Sequence, residues 1–330
     1  MKNFSGQGTI TYENGDVYDG AVQSNEPDGI GKMTYKDGRV CEGIWKNGKI
    51  EYEGGLDEDG KPHGRGKWMC SNGTYEGEWK NCLRDGVGTF KWPDGRSYEG
   101  EWKDGKKHGK GIEKYPDGSV MYEGDYKDDM CHGRGTYKCA DGSSYEGESK
   151  DGKMHGKGIE KYSDGSVMYD GEYKDDMFHG KGTCNYKNGD IYTGEWRADK
   201  MHGDGVMTYA NQDIYDGQWK NDRKDGQGTT KYHNGDVYEG EFSNDKMHGK
   251  GTYTYAAGDL FKSIGEWKEG KKCGLFEDIA RFGKQVYYDN DEVKPDSKVK
   301  REALDDDTDT EDAPPTKRSR RNVSVSPPQV

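Results

Sequence analysis

Apolar and polar residues alternate along most of this chain in short runs broken by glycine and turn residues. Gly249–Tyr255 reads GKGTYTY, with Gly or Tyr alternating with Lys or Thr, and Val237–Phe242 reads VYEGEF, with aromatic or glycine alternating with carboxylate. A period of two is the pattern of a half-buried β-strand, and it places glycine and aromatic rings on one face and charged groups on the other. Asp-Gly or Asn-Gly falls between paired runs, as in KYPDGSV and KYHNGDV. These dipeptides favour hairpin turns with positive φ at both central residues, so each pair of runs is predicted to be a β-hairpin closed by a type I′ turn.

The hairpins recur. A Gly-x-Gly step begins at Gly6, Gly29, Gly64, Gly86, Gly109, Gly133, Gly156, Gly180, Gly203, Gly226 and Gly249, with spacings of 22 to 24 residues apart from one of 35. Nearly every one of these eleven units follows one template, GxGxxxY, an Asp-Gly or Asn-Gly turn, YxGxW, and a polar turn that often ends in His. Two positions after the second-strand glycine stand Val22, Trp45, Trp79, Trp102, Tyr126, Ser149, Tyr173, Trp196, Trp219, Phe242 and Trp267, so nine of eleven are aromatic. Glycine weakens a strand interior, and its fixed placement predicts aromatic rings lying flat over the backbone.

Composition narrows the architecture. Only 29% of residues are hydrophobic against 34% charged, and Leu56, Leu83, Leu260, Leu275 and Leu304 are the five leucines, which excludes a leucine-packed bundle or a thick-cored globule. The 24 Tyr, 8 Trp and 7 Phe are too many for a solvated coil, which leaves a thin, turn-rich fold whose interior is aromatic. A net charge of −13 argues against nucleic acid as a partner. Seven scattered cysteines without a CxxC pair read as reduced thiols, and neither a signal peptide nor an apolar run of membrane-spanning length is expected.

The unit Tyr98–Gly118, YEGEWKDGKKHGKGIEKYPDG, resembles the MORN repeat, and similar units cover residues 6 to about 275. The resemblance implies an all-β fold: an elongated, single-layer antiparallel sheet of tandem hairpins, followed by a disordered C-terminal tail. The expected organisation is an array of about eleven repeats over 1–273, a capping segment over 274–290, and a charged tail over 291–330. Three departures stand out. Between Gly29 and Gly64 twelve added residues predict an extra strand, Ile50–Leu56, after an Asn47-Gly48 turn. The units at Gly109 and Gly156 carry one residue more in SVMYEG and SVMYDG, which a bulge would absorb. Ser149 occupies an aromatic position, which marks the expected weakest joint.

No catalytic constellation emerges. GxxxxGK at Gly55, Gly100, Gly147 and Gly265 never continues into Ser or Thr, and a Walker loop must open a helix. His63, His108, His132, His155, His179, His202 and His248 precede the Gly-x-Gly step, about 10 Å apart in neighbouring units, too far to share a metal, and read as turn residues. The acidic run Asp305–Asp312 lacks the glycine and the glutamate of a calcium loop. The expectation is a protein without enzymatic activity, cofactor or metal.

Three groups of residues are candidates for function. Lys103, Lys106, Lys107 and Lys110 form a basic stretch, with a related cluster at Lys150, Lys153, Lys157 and Lys161. The resemblance implies anionic lipids, phosphoinositides or phosphatidic acid, as their ligand; cross-strand pairing with Glu99, Glu101, Glu146 and Glu148 is the competing role. Tyr98, Trp102, Tyr122, Tyr126 and Trp196 are candidate contacts for a protein partner on an aromatic face that a single layer leaves uncovered. Lys317, Arg318, Arg320 and Arg321 form KRSRR, a candidate nuclear-import segment. The expected function is a cytoplasmic scaffold, membrane- or cytoskeleton-associated, that binds proteins, docks on anionic membranes and is able to self-associate. The alternative implied by the resemblance is a regulatory repeat subunit acting in trans on a lipid-kinase or methyltransferase type enzyme.

The array predicts an extended particle. With strands about 4.8 Å apart, small-angle scattering on residues 1–290 should give a maximum dimension on the order of 100 Å, whereas a compact domain of that size has a radius of gyration of about 19 Å. A compact profile would exclude the single-layer array.

Overall fold

The computed structural model describes residues 4–280, together with the backbone of 285–289 and 292–293. It falls into two compact units, one through Lys153 and one from Met154. Within each, every strand pairs antiparallel with its neighbours in the chain, and no helix occurs among the described residues. The first unit runs from Gly6–Thr11 to Ser144–Lys150, and the second continues through Val167–Lys174 to Lys271–Ala280 and Gln285–Asp289.

The turn chemistry is distributed differently from the sequence expectation. At the Asp-Gly turn of Tyr115–Ser119 only Gly118 has positive φ (84°), and Gly118 donates its N–H to the Tyr115 carbonyl at 2.9 Å. This is a type I turn closed by a left-handed glycine, which makes a hairpin loop of three residues. The type I′ turns lie at the opposite ends of the strands, where both residues have positive φ: Asp128 (50°) and Asp129 (70°), Asp175 (51°) and Asp176 (68°), Asn221 (51°) and Asp222 (71°). Asn and Asp tolerate this region best after glycine, which explains pairs without glycine.

The second carboxylate of these turns also ties hairpin to hairpin. Asp129 donates its N–H to the Lys107 carbonyl (3.1 Å) and accepts the Lys107 N–H on Oδ1 (2.8 Å). Asp176 does the same with Met154, Asp199 with Phe178, Asp222 with Met201 and Asp245 with Lys224.

The two glycines of each Gly-x-Gly step serve different purposes. Gly109 has φ of 55° and marks a slip in the ladder, where His108 lies opposite Glu101 but Gly111 lies opposite Gly100. The freed Lys110 N–H is accepted by Glu101 Oε1 at 2.9 Å. Gly111 lies under a ring: a Cβ there would sit 2.4 Å from Tyr98 Oη. Tyr98 in turn donates its hydroxyl to the Glu101 carbonyl at 2.9 Å. The same tyrosine-over-glycine contact recurs at Tyr18, Tyr75, Tyr122, Tyr192, Tyr215 and Tyr238.

Edge-to-face contacts join these tyrosines to the aromatics two positions past the glycine. In the first unit the rings run Tyr52, Trp79, Tyr75, Trp102, Tyr98, Tyr126, Tyr122, with neighbouring centroids 5.1 to 5.4 Å apart. In the second they run Trp196, Tyr192, Trp219, Tyr215, Phe242, Tyr238, Trp267, Phe276. Each such pair contributes about 0.5–1.5 kcal/mol beyond its buried area.

The inserted strand is present as Lys49–Leu56 after the Asn47-Gly48 turn. Its effect on the first unit exceeds one added strand. Trp45 lies opposite Ile50, yet Ile44, which points to the other face, lies opposite Tyr52. Residues directly opposite share a face, so the aromatic layer of Tyr18 and Trp45 stops here and resumes on the other face with Tyr52 and Trp79. The odd strand also reverses the direction of every later template strand of that unit. Face and direction change together, which amounts to a half-turn about the axis of the sheet and preserves the hand of each hairpin.

The predicted bulges appear between Glu113 and Lys114 and between Glu160 and Lys161. At the ends, local rings replace template ones. Phe4 covers Gly8, and Phe276 packs on Gly265. The expected cap therefore begins as a further strand, Lys271–Ala280, paired with Leu260–Lys268. Residues 294–330, expected as tail, lie outside the described residues.

Two substitutions test the repeat logic. Gln212 holds φ of 76° where the other loops place glycine, so Gln212→Gly should stabilise by about 1 kcal/mol and raise the Tm. An unchanged or lower Tm would mean that the glutamine side chain compensates for the strain. Ser149 is buried opposite Gly133 without the ring found at equivalent sites. Amides of 133–152 should therefore exchange faster than those of the units at Gly109 and Gly156, and Ser149→Trp should slow them. Uniform protection, or destabilisation by Ser149→Trp, would show a site already filled.

Candidate functional site

The four candidate lysines fall into three environments. Lys103 and Lys106 flank the Asp104-Gly105 turn, directly opposite one another and exposed. Lys110 is also exposed, but its Nζ lies 2.6 Å from Asp125 Oδ1, the cross-strand pairing of the competing role. Lys107 is buried. Its Nζ meets Glu113 Oε2 at 2.7 Å, with both side chains 6% exposed, and lies 4.9, 5.0 and 5.5 Å from the ring centroids of Trp92, Tyr98 and Tyr126. A lysine enclosed by three rings and a carboxylate is core, so its assignment to a lipid site is corrected.

That position recurs as a device the sequence reading missed. Where most units carry Met or Phe just before the histidine, Arg84 stacks 4.1 Å from the Trp102 ring and Lys224 lies 5.0 Å from Tyr215. Lys272 Nζ meets Ser263 Oγ (2.8 Å) and Asp278 Oδ1 (3.1 Å) over Phe276. Lys107/Glu113 and Lys272/Asp278 are both six residues apart on one strand. A cation replacing the usual apolar residue, with a carboxylate six positions on, was the available signal. Desolvated cation–ring contacts are worth about 2 kcal/mol, which helps offset the burial of charge.

The aromatic candidates are likewise interior. Tyr98, Trp102, Tyr122, Tyr126 and Trp196 are each at most 4% exposed. Neighbouring rings, glycine backbone and the side chains at the Lys107-type position cover them. The expected accessible aromatic groove is therefore corrected: these rings are interior. Lys317, Arg318, Arg320 and Arg321 lie outside the described residues.

The histidines sit within strands on the polar face and not in turns. His108 lies opposite Glu101 and His202 opposite Glu195. Nδ1 of His108, His155, His202 and His248 is buried without a hydrogen-bond partner, whereas His132 Nδ1 approaches Asp151 Oδ1 at 3.4 Å. No group of three or more His, Cys, Asp or Glu side chains is placed to hold a metal among the described residues. None of the seven cysteines is in a disulfide, and burial pushes the Cys131 thiol up to about 12, which keeps it protonated.

Charge is sorted by position. In the second unit every type I′ turn closes on the same lateral edge, because strands alternate in direction and each such turn follows the tryptophan-bearing strand. Cations flank these turns: Arg197 opposite Lys200, Lys220 opposite Arg223, Lys268 opposite Lys271, and Lys246 opposite Ser243. All seven are exposed. Like charges directly opposite destabilise a strand pair, so the recurrence opposes local stability. Lys246 is partly balanced by Glu269 at 3.4 Å, and Arg223 Nη1 donates to Asn244 Oδ1 at 3.0 Å.

The polar face carries the opposite sign. Glu195, Asp204 and Asp216 point from the middles of three consecutive strands, and Glu239 and Glu241 from Val237–Ser243, beyond Arg223–Lys231, which places Gln227 and Thr229 opposite them. A groove of about 690 Å³ opens on this face, lined among others by Lys157, Asp170, Glu172, Lys181, Glu195 and Asp204.

Comparison with known proteins adds the family. No curated protein sequence matches the chain significantly. Among solved structures, the TCP domain of Drosophila melanogaster SAS-4, in complex with a proline-rich motif, is 14% identical with a TM-score of 0.18, covering 47% of this chain and 82% of that one. Virginiamycin B lyase from Staphylococcus aureus is 10% identical with a TM-score of 0.14, covering 79% and 92%. TM-scores this low carry no argument. The MORN repeat model matches thirteen consecutive segments from residue 2 to residue 275, including 41–51 within the lengthened unit and 264–275 past the last Gly-x-Gly step of the template. With its ring-covered glycines repeating in phase with those matches, the chain belongs to the MORN-repeat family.

Proposed function

We propose that this protein is a non-enzymatic scaffold that docks edge-on to anionic membrane surfaces and presents its polar face to protein partners. The observation that carries the reading is the row of cation pairs flanking the type I′ turns, Arg197/Lys200, Lys220/Arg223 and Lys268/Lys271 in one unit and Lys103/Lys106 in the other. Like-charged residues set opposite one another weaken the sheet locally and gain their value from a multivalent anion. Turn carboxylates at Asp199, Asp222 and Asp245 each accept a backbone N–H of the neighbouring hairpin, which holds them against the sheet while the flanking cations are exposed. The acidic faces would be repelled by an anionic leaflet, so edge-on contact is the orientation with least conflict. Phosphoinositide or phosphatidic acid headgroups are the ligand class, and the site of action is a membrane or the cytoskeleton beneath it.

Sedimentation with phosphatidylcholine vesicles containing phosphatidic acid or a phosphoinositide, at low salt, tests this. Juxtamembrane cations contribute about 1 kcal/mol each, so Lys220→Gln with Arg223→Gln should lower partitioning about thirtyfold, and Lys103→Gln with Lys106→Gln similarly. Lys110→Gln should change it little, because that charge is spent on Asp125. Absence of binding, or equal loss in all three variants, would remove the membrane from the proposal and leave the protein-binding scaffold.

A further inference from the structure

The polar face of the second unit forms an open groove from Lys157 to Asp204. At one end Lys157 lies opposite Glu172 and Lys181 opposite Glu195. Beyond them the residues opposite Asp204, Asp216 and Glu239 are Gln218, Val206 and Thr229, so the acidic character continues without a cation across the strand. None of the four carboxylates Glu195, Asp204, Asp216 and Glu239 forms an ion pair among the described residues, and all four are exposed. The exposed cations of these strands, Arg197, Lys200, Lys220, Arg223 and Lys231, stand at strand ends, and Lys224 is buried among the rings. The face is thus an exposed surface of predominantly negative charge.

The chain itself carries the complementary segment. Lys317, Arg318, Arg320 and Arg321 place four cations within five residues. We infer that the segment Lys317–Arg321 docks on the acidic face formed by Glu195, Asp204, Asp216 and Glu239. Reach supports an intramolecular contact. From Glu292–Val293 the strands that carry Glu239, Asp216, Asp204 and Glu195 lie five to nine strand steps away, about 24 to 43 Å at about 4.8 Å per step. Twenty-four residues separate Val293 from Lys317, and a polar chain of that length without secondary structure spans about 27 Å root-mean-square. Effective concentration is greatest when these two lengths match, reaching the millimolar range, so contacts that are weak between separate molecules become populated within one. The acidic run Asp305–Asp312 lies in the connecting sequence, and its like charge keeps it off the face.

Docking would cover the candidate nuclear-import segment, and salt or a competing anionic surface would release it. The inference is independent of the membrane proposal, since it uses a different surface and needs no lipid.

Zero-length carbodiimide crosslinking of the full chain at low salt, with the monomer isolated before peptide mass spectrometry, tests it. Lys317 should be joined to Glu195, Asp204, Asp216 or Glu239. The yield should fall at least tenfold in E195Q/D204N/D216N/E239Q, in R318S/R320S/R321S, which keeps the reacting amine, and at about 1 M salt, where the screening length is about 3 Å. In parallel, trypsin should cut after Arg318–Arg321 about tenfold more slowly, relative to Lys300 and Arg301, in the native chain than in the face variant. Crosslinks from Lys317 confined to residues 305–312, to the first unit or to dimers, or yields and cleavage rates that the variants leave unchanged, would overturn it.

Discussion

The structure depends on one contact, a tyrosine ring lying flat on a pair of glycines from adjacent strands. The ring requires that neither glycine have a side chain, as the 2.4 Å approach of Tyr98 Oη to a Cβ built on Gly111 makes plain. In exchange a single sheet acquires an interior. In the second unit Tyr169, Tyr192, Tyr215 and Tyr238 each lie against the ring two positions past the next glycine, and in the first unit the same edge-to-face ladder runs unbroken from Tyr52 to Tyr122. A protein with five leucines among 330 residues can therefore bury large side chains almost completely. The layer that results is one side chain thick.

Because that layer closes on itself, the rings that form it are interior. The surface that remains is largely charged, and the hairpin geometry separates its charges by sign. Strand middles on the polar face carry Glu and Asp, partly because a carboxylate there accepts the N–H freed by the glycine slip, as Glu101 does for Lys110. Strand ends at the type I′ turns carry Lys and Arg. The acidic face and the basic edge are thus consequences of the same repeat, two surfaces of opposite sign.

Several errors of sequence reading share a cause. Asp-Gly reads as a type I′ turn, but loop length decides the turn type, and three residues before the next paired position favour type I with a left-handed glycine. Lys107 reads as a surface lysine because three of its neighbours, Lys103, Lys106 and Lys110, are. Its burial follows from rings contributed by other strands, Trp92 and Tyr126, and from Glu113. The histidines read as turn residues because they adjoin glycine, whereas the glycine next to them is a slip inside a strand.

The sequence alone determined the repeat, the strands, the extra strand after Asn47-Gly48 and the bulges of the two lengthened units, because alternation and turn residues are local and recur in phase. It also determined which residues form the aromatic layer. Tertiary structure alone decided what that layer exposes, since burial depends on rings from strands more than twenty residues apart. It alone decided that the layer changes face at Lys49–Leu56, because a strand's face is set by its register against a neighbour, and a single bulge reverses it. And it alone brought the turn-flanking cations to one edge, because the direction of each strand is fixed only by counting paired strands from the one before.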